Sequence, residues 1–279
     1  MEAKYKQEVQ KYGKKDAIIA LCAVLLMIVA ATLIVSAGSI LAILPIGLGA
    51  LPFYVQLMAW PVEKIVISIA PVIIIILVMK QGFASIGIHT KNLWRAVRLG
   101  LMFSLIPMFF GILPRILYGG EFIGFGLFMV WLVRVFMMAA AEDVLFVGFL
   151  QTRLNGLFKS DKVAISIGAA LFSFMHIPTW LITGELSFDN LPFFGLMITV
   201  WFVMHFVFVA IYRRYNSLIP VTILHTFINF MAYPQRNWIF ADEHYGYAES
   251  WGATAILVVP VAVGIWAFVR HRRSKKVSV

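Results

Sequence analysis

Residues 128–152 read FMVWLVRVFMMAAAEDVLFVGFLQT, an apolar run with two adjacent acids, Glu142 and Asp143, set inside it. A helix crosses a bilayer with about 20 predominantly apolar residues, so this stretch is a transmembrane span. A carboxylate at mid-span costs about 3 kcal/mol on insertion scales; acids kept there face inward and mark function. Two further apolar runs carry stranded polar groups in the same way: His176 in 163–179, and His225 with Asn229 in 217–233.

The rest of the chain agrees with a membrane class. Of 279 residues, 62% are hydrophobic and 13% charged, and the mean hydropathy is +0.91. Those values exclude a soluble domain. Spans are expected at 17–37, 62–79, 99–117, 128–152, 163–179, 191–211, 217–233 and 252–269, an all-α bundle of about eight transmembrane helices in a single domain covering 1–279. Residues 39–60 are apolar but broken by Pro45, Gly47, Gly49 and Pro52, which suits a re-entrant or interfacial segment. After the basic stretch Lys4–Lys15, the run 17–37 is long enough to span and lacks a cleavage site. Cys22 is the only cysteine, so neither an intrachain disulfide nor a thiolate metal cluster is possible.

Charge sets the orientation. With eight spans, the basic tails 1–16 and 270–279 and the segments 80–98, 153–162 and 212–216 fall on one side. They hold 19 of the 23 Lys and Arg. Glu63, Glu121, Glu185, Asp189, Asp242, Glu243 and Glu249 fall on the other. The positive-inside rule then makes both termini cytoplasmic. The net charge of +10 is thereby a topology signal rather than a nucleic-acid footprint. The residues Gln81 to Arg98, with His89 and Trp94, read as a basic interfacial loop or short amphipathic helix.

Counted from the nearest basic anchor at 1.5 Å per residue, Glu142 lies ~16 Å deep from Arg153 and His225 ~16 Å from Arg214. By the same count His176 lies ~21 Å from Lys162 and Asn229 ~22 Å from Arg214. Three helices thus bring polar groups to one level. Ala139, Ala140 and Ala141 remove bulk beside Glu142. Pro178 breaks the helix near His176. His225 and Asn229, and likewise Phe172 and His176, are four apart and share a face. A carboxylate in an apolar cavity suits a general base for water, a nearby His can share that work, and His and Asn donors suit an oxyanion. Two His with one acid are also a possible metal set, Glu142, His176 and His225, although the HExxH pattern is absent and no cofactor is required.

The stretches AEDVLFVGFLQ, FSFMH and HTFIN resemble, in order, the EExxxR, FxxxH and HxxxN/D motifs of the CPBP (Abi) intramembrane proteases. These comprise the type II CAAX prenyl endopeptidases and prokaryotic homologues linked to bacteriocin processing and self-immunity. The resemblance covers 128–233 as the catalytic core. It implies a glutamate-dependent peptide hydrolase in which Glu142 is the base, His176 its partner, and His225 with Asn229 the oxyanion site. Phe172 and Asp143 support them. It also implies a membrane-associated or lipidated protein substrate approaching from the cytoplasmic side.

Two positions depart from the motif: Asp143 stands for its second Glu, and Val147 for its Arg. Without that Arg, Asp143 is expected to be protonated, solvated, or paired with a base from elsewhere, such as Arg134 or Arg115. The competing readings are a catalytically degenerate scaffold, immunity or partner-binding protein, and a proton-coupled transporter. The lack of internal repeats weakens the transporter. His205 and the tryptophans, among them Trp131, Trp180 and Trp201, read as packing or interface residues. A small chain points to a prokaryotic cell membrane, with the endoplasmic reticulum as the alternative.

Overall fold

The computed structural model describes residues 2–41, 61–89, 92–117, 121–122, 124–158, 160–182, 184, 186, 191–232 and 240–241. The chain is an all-α membrane protein. Helices α1 (Glu2–Val9), α2 (Lys14–Leu41), α3 (Pro61–Val78) and α4 (Leu93–Leu117) come first. Then follow α5 (Phe125–Asp143), α6 (Gln151–Leu157), α7 (Asp161–Phe174), α8 (Ile177–Ile182), α9 (Leu191–Tyr215) and α10 (Ile219–Ala232). Helices are found at every expected span from 17–37 to 217–233; the span at 252–269, most of 39–60 and the tail 270–279 lie outside the described residues. The helix expected from residue 99 begins earlier, at Leu93, which turns part of the anticipated interfacial loop into its first turns.

Each span divides into a buried stripe and a lipid-facing one. In α2, Ala17, Ala20, Val24 and Met27 are buried at helical spacing, while Leu25, Leu26, Val29 and Leu33 are exposed. Apolar exposure of this kind suits lipid, and small residues let helices meet without a hydrophobic drive between them. Helices α4 and α10 pack closely. A Cβ added at Gly100 would meet Ile223 Cβ at 2.7 Å, and Ser104 Oγ donates to Ile223 O at 3.4 Å.

Among the described residues, the basic segments of α1, 80–98, 153–162 and 212–216 gather at one end of the bundle. Tyr5 of α1 donates to Asn155 Oδ1 (3.3 Å) and meets the Tyr212 ring edge-on at 5.4 Å. Gly87, at φ +76, lies against Tyr212, where any side chain would collide. Leu218 N donates to Gly87 O at 3.0 Å, and Arg213 pairs with Asp161 at 2.6 Å. Arg153, counted above as a surface anchor, is instead fully buried. Its guanidinium donates to Ser85 O (3.1 Å), Thr152 Oγ1 (2.7 Å) and Gln81 Oε1, and lies 4.4 Å from the Tyr12 ring centroid. Desolvation is affordable because a fork of donors finds this many partners. At the other end, Glu121–Phe122 pairs antiparallel with Phe240–Ala241, joining two of the segments read as lying opposite the basic side.

Candidate active site

Helix α5 delivers Glu142 and Asp143 as its last residues, and the chain continues as a π-helical turn, Val144–Leu150, into α6. Such insertions cluster at functional sites because they change the register of side chains along a helix. Here all seven residues of the turn are buried, so the acid pair sits on a rigid interior element. Ala139 and Ala141 are fully buried beneath it.

Helix α10 runs past α5 and wedges His225 between the two acids. His225 Nδ1 lies 3.0 Å from Asp143 Oδ1, and its Nε2 lies 3.8 Å from Glu142 Oε2. One turn further, Asn229 Nδ2 lies 3.1 Å from His225 Nε2. Asp143 is fully buried, while Glu142 keeps 12% of its side-chain surface exposed. The fully buried acid therefore holds the ring, and the other keeps a partly exposed carboxylate.

These contacts fix the tautomer. With Asp143 as carboxylate, Nδ1–H of His225 donates to it, and the neutral ring presents a lone pair at Nε2 to the Asn229 amide. His225 can then donate from Nε2 only after taking up a proton there. A base that pairs with Asp143 comes from α10, in His225. Arg134 lies 4.7 Å over its neighbour Trp131, and the Arg115 side chain lies outside the described residues. Val147 is fully buried in the main apolar cluster.

Helix α7 ends at Phe174, and the turn at Met175–His176 redirects the chain into α8, with Pro178 in that helix's first turn. Ending α7 releases the Ser173 carbonyl, which faces His176 Nδ1 at 3.3 Å. A carbonyl only accepts, so Nδ1 carries the proton and Nε2 of the neutral ring is an acceptor. Among the described residues no hydrogen bond joins His176 to Glu142. What links the helices is Phe172, whose ring centroid lies 5.9 Å from that of His176, 6.1 Å from His225 and 5.5 Å from His205.

Several contributors were not legible as site residues. Trp201 stacks on His176 at 3.6 Å, and Trp180 stacks on Trp201 at 5.2 Å. Phe208 packs 4.8 Å from His225. His205 is fully buried, and its Nε2–H donates to Gln151 Oε1 at 2.9 Å; Gln151 passes the chain to Asn155 at 2.5 Å. Lys64 of α3, a lysine inside a span, is close enough to act electrostatically on both Glu142 and His176. Its depth would have flagged it: counted from Lys80 it lies ~24 Å along the helix, near the level of the site. Among the described residues no group of three or more His, Cys, Asp or Glu is arranged to hold a metal ion, so the conditional set Glu142, His176, His225 is not gathered as one.

No curated protein and no solved structure matches the chain. The family model described as type II CAAX prenyl endopeptidase Rce1-like matches residues 124–231. That interval contains Glu142, Asp143, Phe172, His176, His225 and Asn229, so the part of the chain that builds the site is similar to the Rce1-like type II CAAX prenyl endopeptidases, a protease family.

Proposed function

We propose that the chain is an intramembrane endopeptidase that hydrolyses a peptide bond in a membrane-associated or lipidated substrate. The observation that carries this reading is the bracket Asp143–His225–Glu142, with Asn229 on the same imidazole. An acid that orients a histidine beside a second acid and an amide donor is an arrangement for activating water and stabilising an oxyanion.

In the proposed reaction, Glu142 takes a proton from water while Nε2 of His176 accepts the water's other O–H. The water oxygen bonds to the scissile carbonyl carbon, and the C=O electron pair moves onto oxygen. Asn229 donates to that oxyanion. As the tetrahedral species collapses, the C–N bond breaks and the amine nitrogen leaves with the proton that Glu142 received. Water and one amide thus become one carboxylic acid and one amine. Asp143 keeps His225 in register, and Lys64 offsets negative charge that accumulates near the acid pair. The matched family's description makes a prenylated C-terminal peptide the first substrate to try.

Purified protein in detergent is expected to cleave an S-farnesylated Cys-aliphatic-aliphatic-Ser peptide or a membrane-peptide panel. Glu142→Ala is expected to lower turnover about 10³-fold, within the range for loss of a general base. Equal turnover by both would sink the reading.

The second reading, a degenerate member acting as scaffold, immunity or partner-binding protein, draws on Val147 in place of the motif Arg. It expects Glu142→Gln at normal protein level to leave the cellular function intact, which the protease reading forbids.

A further inference from the structure

His176 stands apart from the hydrogen-bonded group around His225, and what holds it is largely aromatic. On one side the Trp201 ring lies 3.6 Å away, centroid to centroid, with planes 28° apart. Phe172 meets the imidazole edge-on at 86°, with ring centroids 5.9 Å apart. Trp201 is backed by Trp180 at 5.2 Å and 25°, and Trp180 rests on Phe194 at 4.2 Å. Trp180 reaches this place because the chain turns at His176; its backbone N–H donates to the His176 carbonyl at 3.2 Å.

The polar restraint on the ring comes from backbone at the end of α7, at Ser173 and Phe172. The contact from Nδ1 to Ser173 O is long, at 3.3 Å. The terminal torsion of a histidine has broad, roughly two-fold wells, so rotamer preference does not fix the ring plane either. A stacked pair is favoured beyond its burial alone, enough to choose between ring orientations that otherwise differ little.

We infer that Trp201 is a positioning residue for His176: its stacked indole holds the imidazole in the orientation that keeps Nδ1–H on Ser173 O and leaves Nε2 for the catalytic water. The functional half of this inference rests on the role given to His176 above; the structural half does not.

The test uses full-length protein in detergent, ¹⁵N-labelled at histidine, as wild type, Trp201→Phe and Trp201→Leu. His176 resonances are assigned by their loss in His176→Gln. Wild type and Trp201→Phe are expected to show His176 as the single Nδ1–H tautomer. Trp201→Leu is expected to show exchange-broadened or mixed-tautomer signals, with His225 resonances in place as the sign of an intact fold. On a cleaved peptide, Trp201→Leu is expected to lose about 10–100-fold in kcat, the scale of a misplaced catalytic group. KM should stay within about twofold, and Trp201→Phe should restore kcat to within about threefold of wild type. Unchanged His176 signals in Trp201→Leu overturn the inference, as does Trp201→Phe losing as much kcat as Trp201→Leu. Should the wild type cleave nothing, the proposed function fails, and the ¹⁵N comparison still decides the role of Trp201.

Discussion

At the scale of single residues, Asp143 is the position whose meaning changed most. Read along its own helix it lacks a partner, because Val147 stands where the motif has Arg. In three dimensions it pairs with His225 Nδ1 at 3.0 Å and fixes which nitrogen carries the proton. Asp143→Asn is therefore expected to lower kcat about 100-fold with little change in KM, since a carboxamide can hold the wrong tautomer. Steady-state kinetics on any cleaved peptide would check this, and a loss confined to KM would contradict it. Val147→Arg is expected to damage rather than repair. Val147 is fully buried in the main apolar cluster, so the new guanidinium would enter the core without a prepared partner. A loss of about 3 kcal/mol or more, seen as a lower melting temperature in detergent, is the expected outcome. Restored or raised hydrolysis would instead favour the degenerate reading.

At the scale of elements, the geometry depends on a π-helical turn, a helix break and close approaches at glycines. The break at Met175–His176 follows from Pro178 and was readable in advance. The π turn at Val144–Leu150 was not: its residues carry no breaker except Gly148, and a register change is decided by what packs around it. Gly168 marks one close approach. A Cβ there would lie 2.9 Å from His205 Nε2 and closer still to Gln151 Oε1. Gly168→Ala should thus cost about 1–3 kcal/mol by displacing the His205–Gln151 pair, measurable by thermal or denaturant unfolding. The docking of α1 carries a pH signature. Burial pushes the Tyr5 phenol above the ordinary tyrosine range, and burial with the neighbouring Glu8 does the same for Tyr12. Both pKa values are raised in the folded state, so their contribution is present below the unfolded value near ~10 and lost as pH rises past it. Absorbance at 295 nm should show these two phenols still un-ionised near pH ~11, where exposed tyrosines have titrated. Tyr5→Phe and Tyr12→Phe variants assign the change; ionisation at the ordinary value would remove the basis for a tightly docked α1.

At the scale of the whole molecule, one end of the bundle gathers α1, the turn at Gly87, the end of α6 and the end of α9, which belong to the basic segments among the described residues. The strand pair at Glu121–Phe122 and Phe240–Ala241 lies with segments of the acidic side. With Cys22 replaced by Ala, a cysteine at Lys4 and one at Ser278 are expected to label from the same, cytoplasmic, face of sealed vesicles, and one at Glu121 from the other. Labelling of Lys4 and Ser278 from opposite faces would refute the eight-span topology. The class of this protein was settled by its sequence alone, because bilayer thickness fixes span length and apolar composition reports it directly. Helical rise also converts residue number into an expected depth for each polar group, although Arg153, one anchor of that count, is buried. Depth along a helix says nothing about rotation around it or about which neighbour it faces. So the pairing of Asp143 with His225, the burial of Arg153 and the stacking of Trp201 on His176 were decided only by tertiary packing, where contacts between distant segments select one arrangement among many of equal depth.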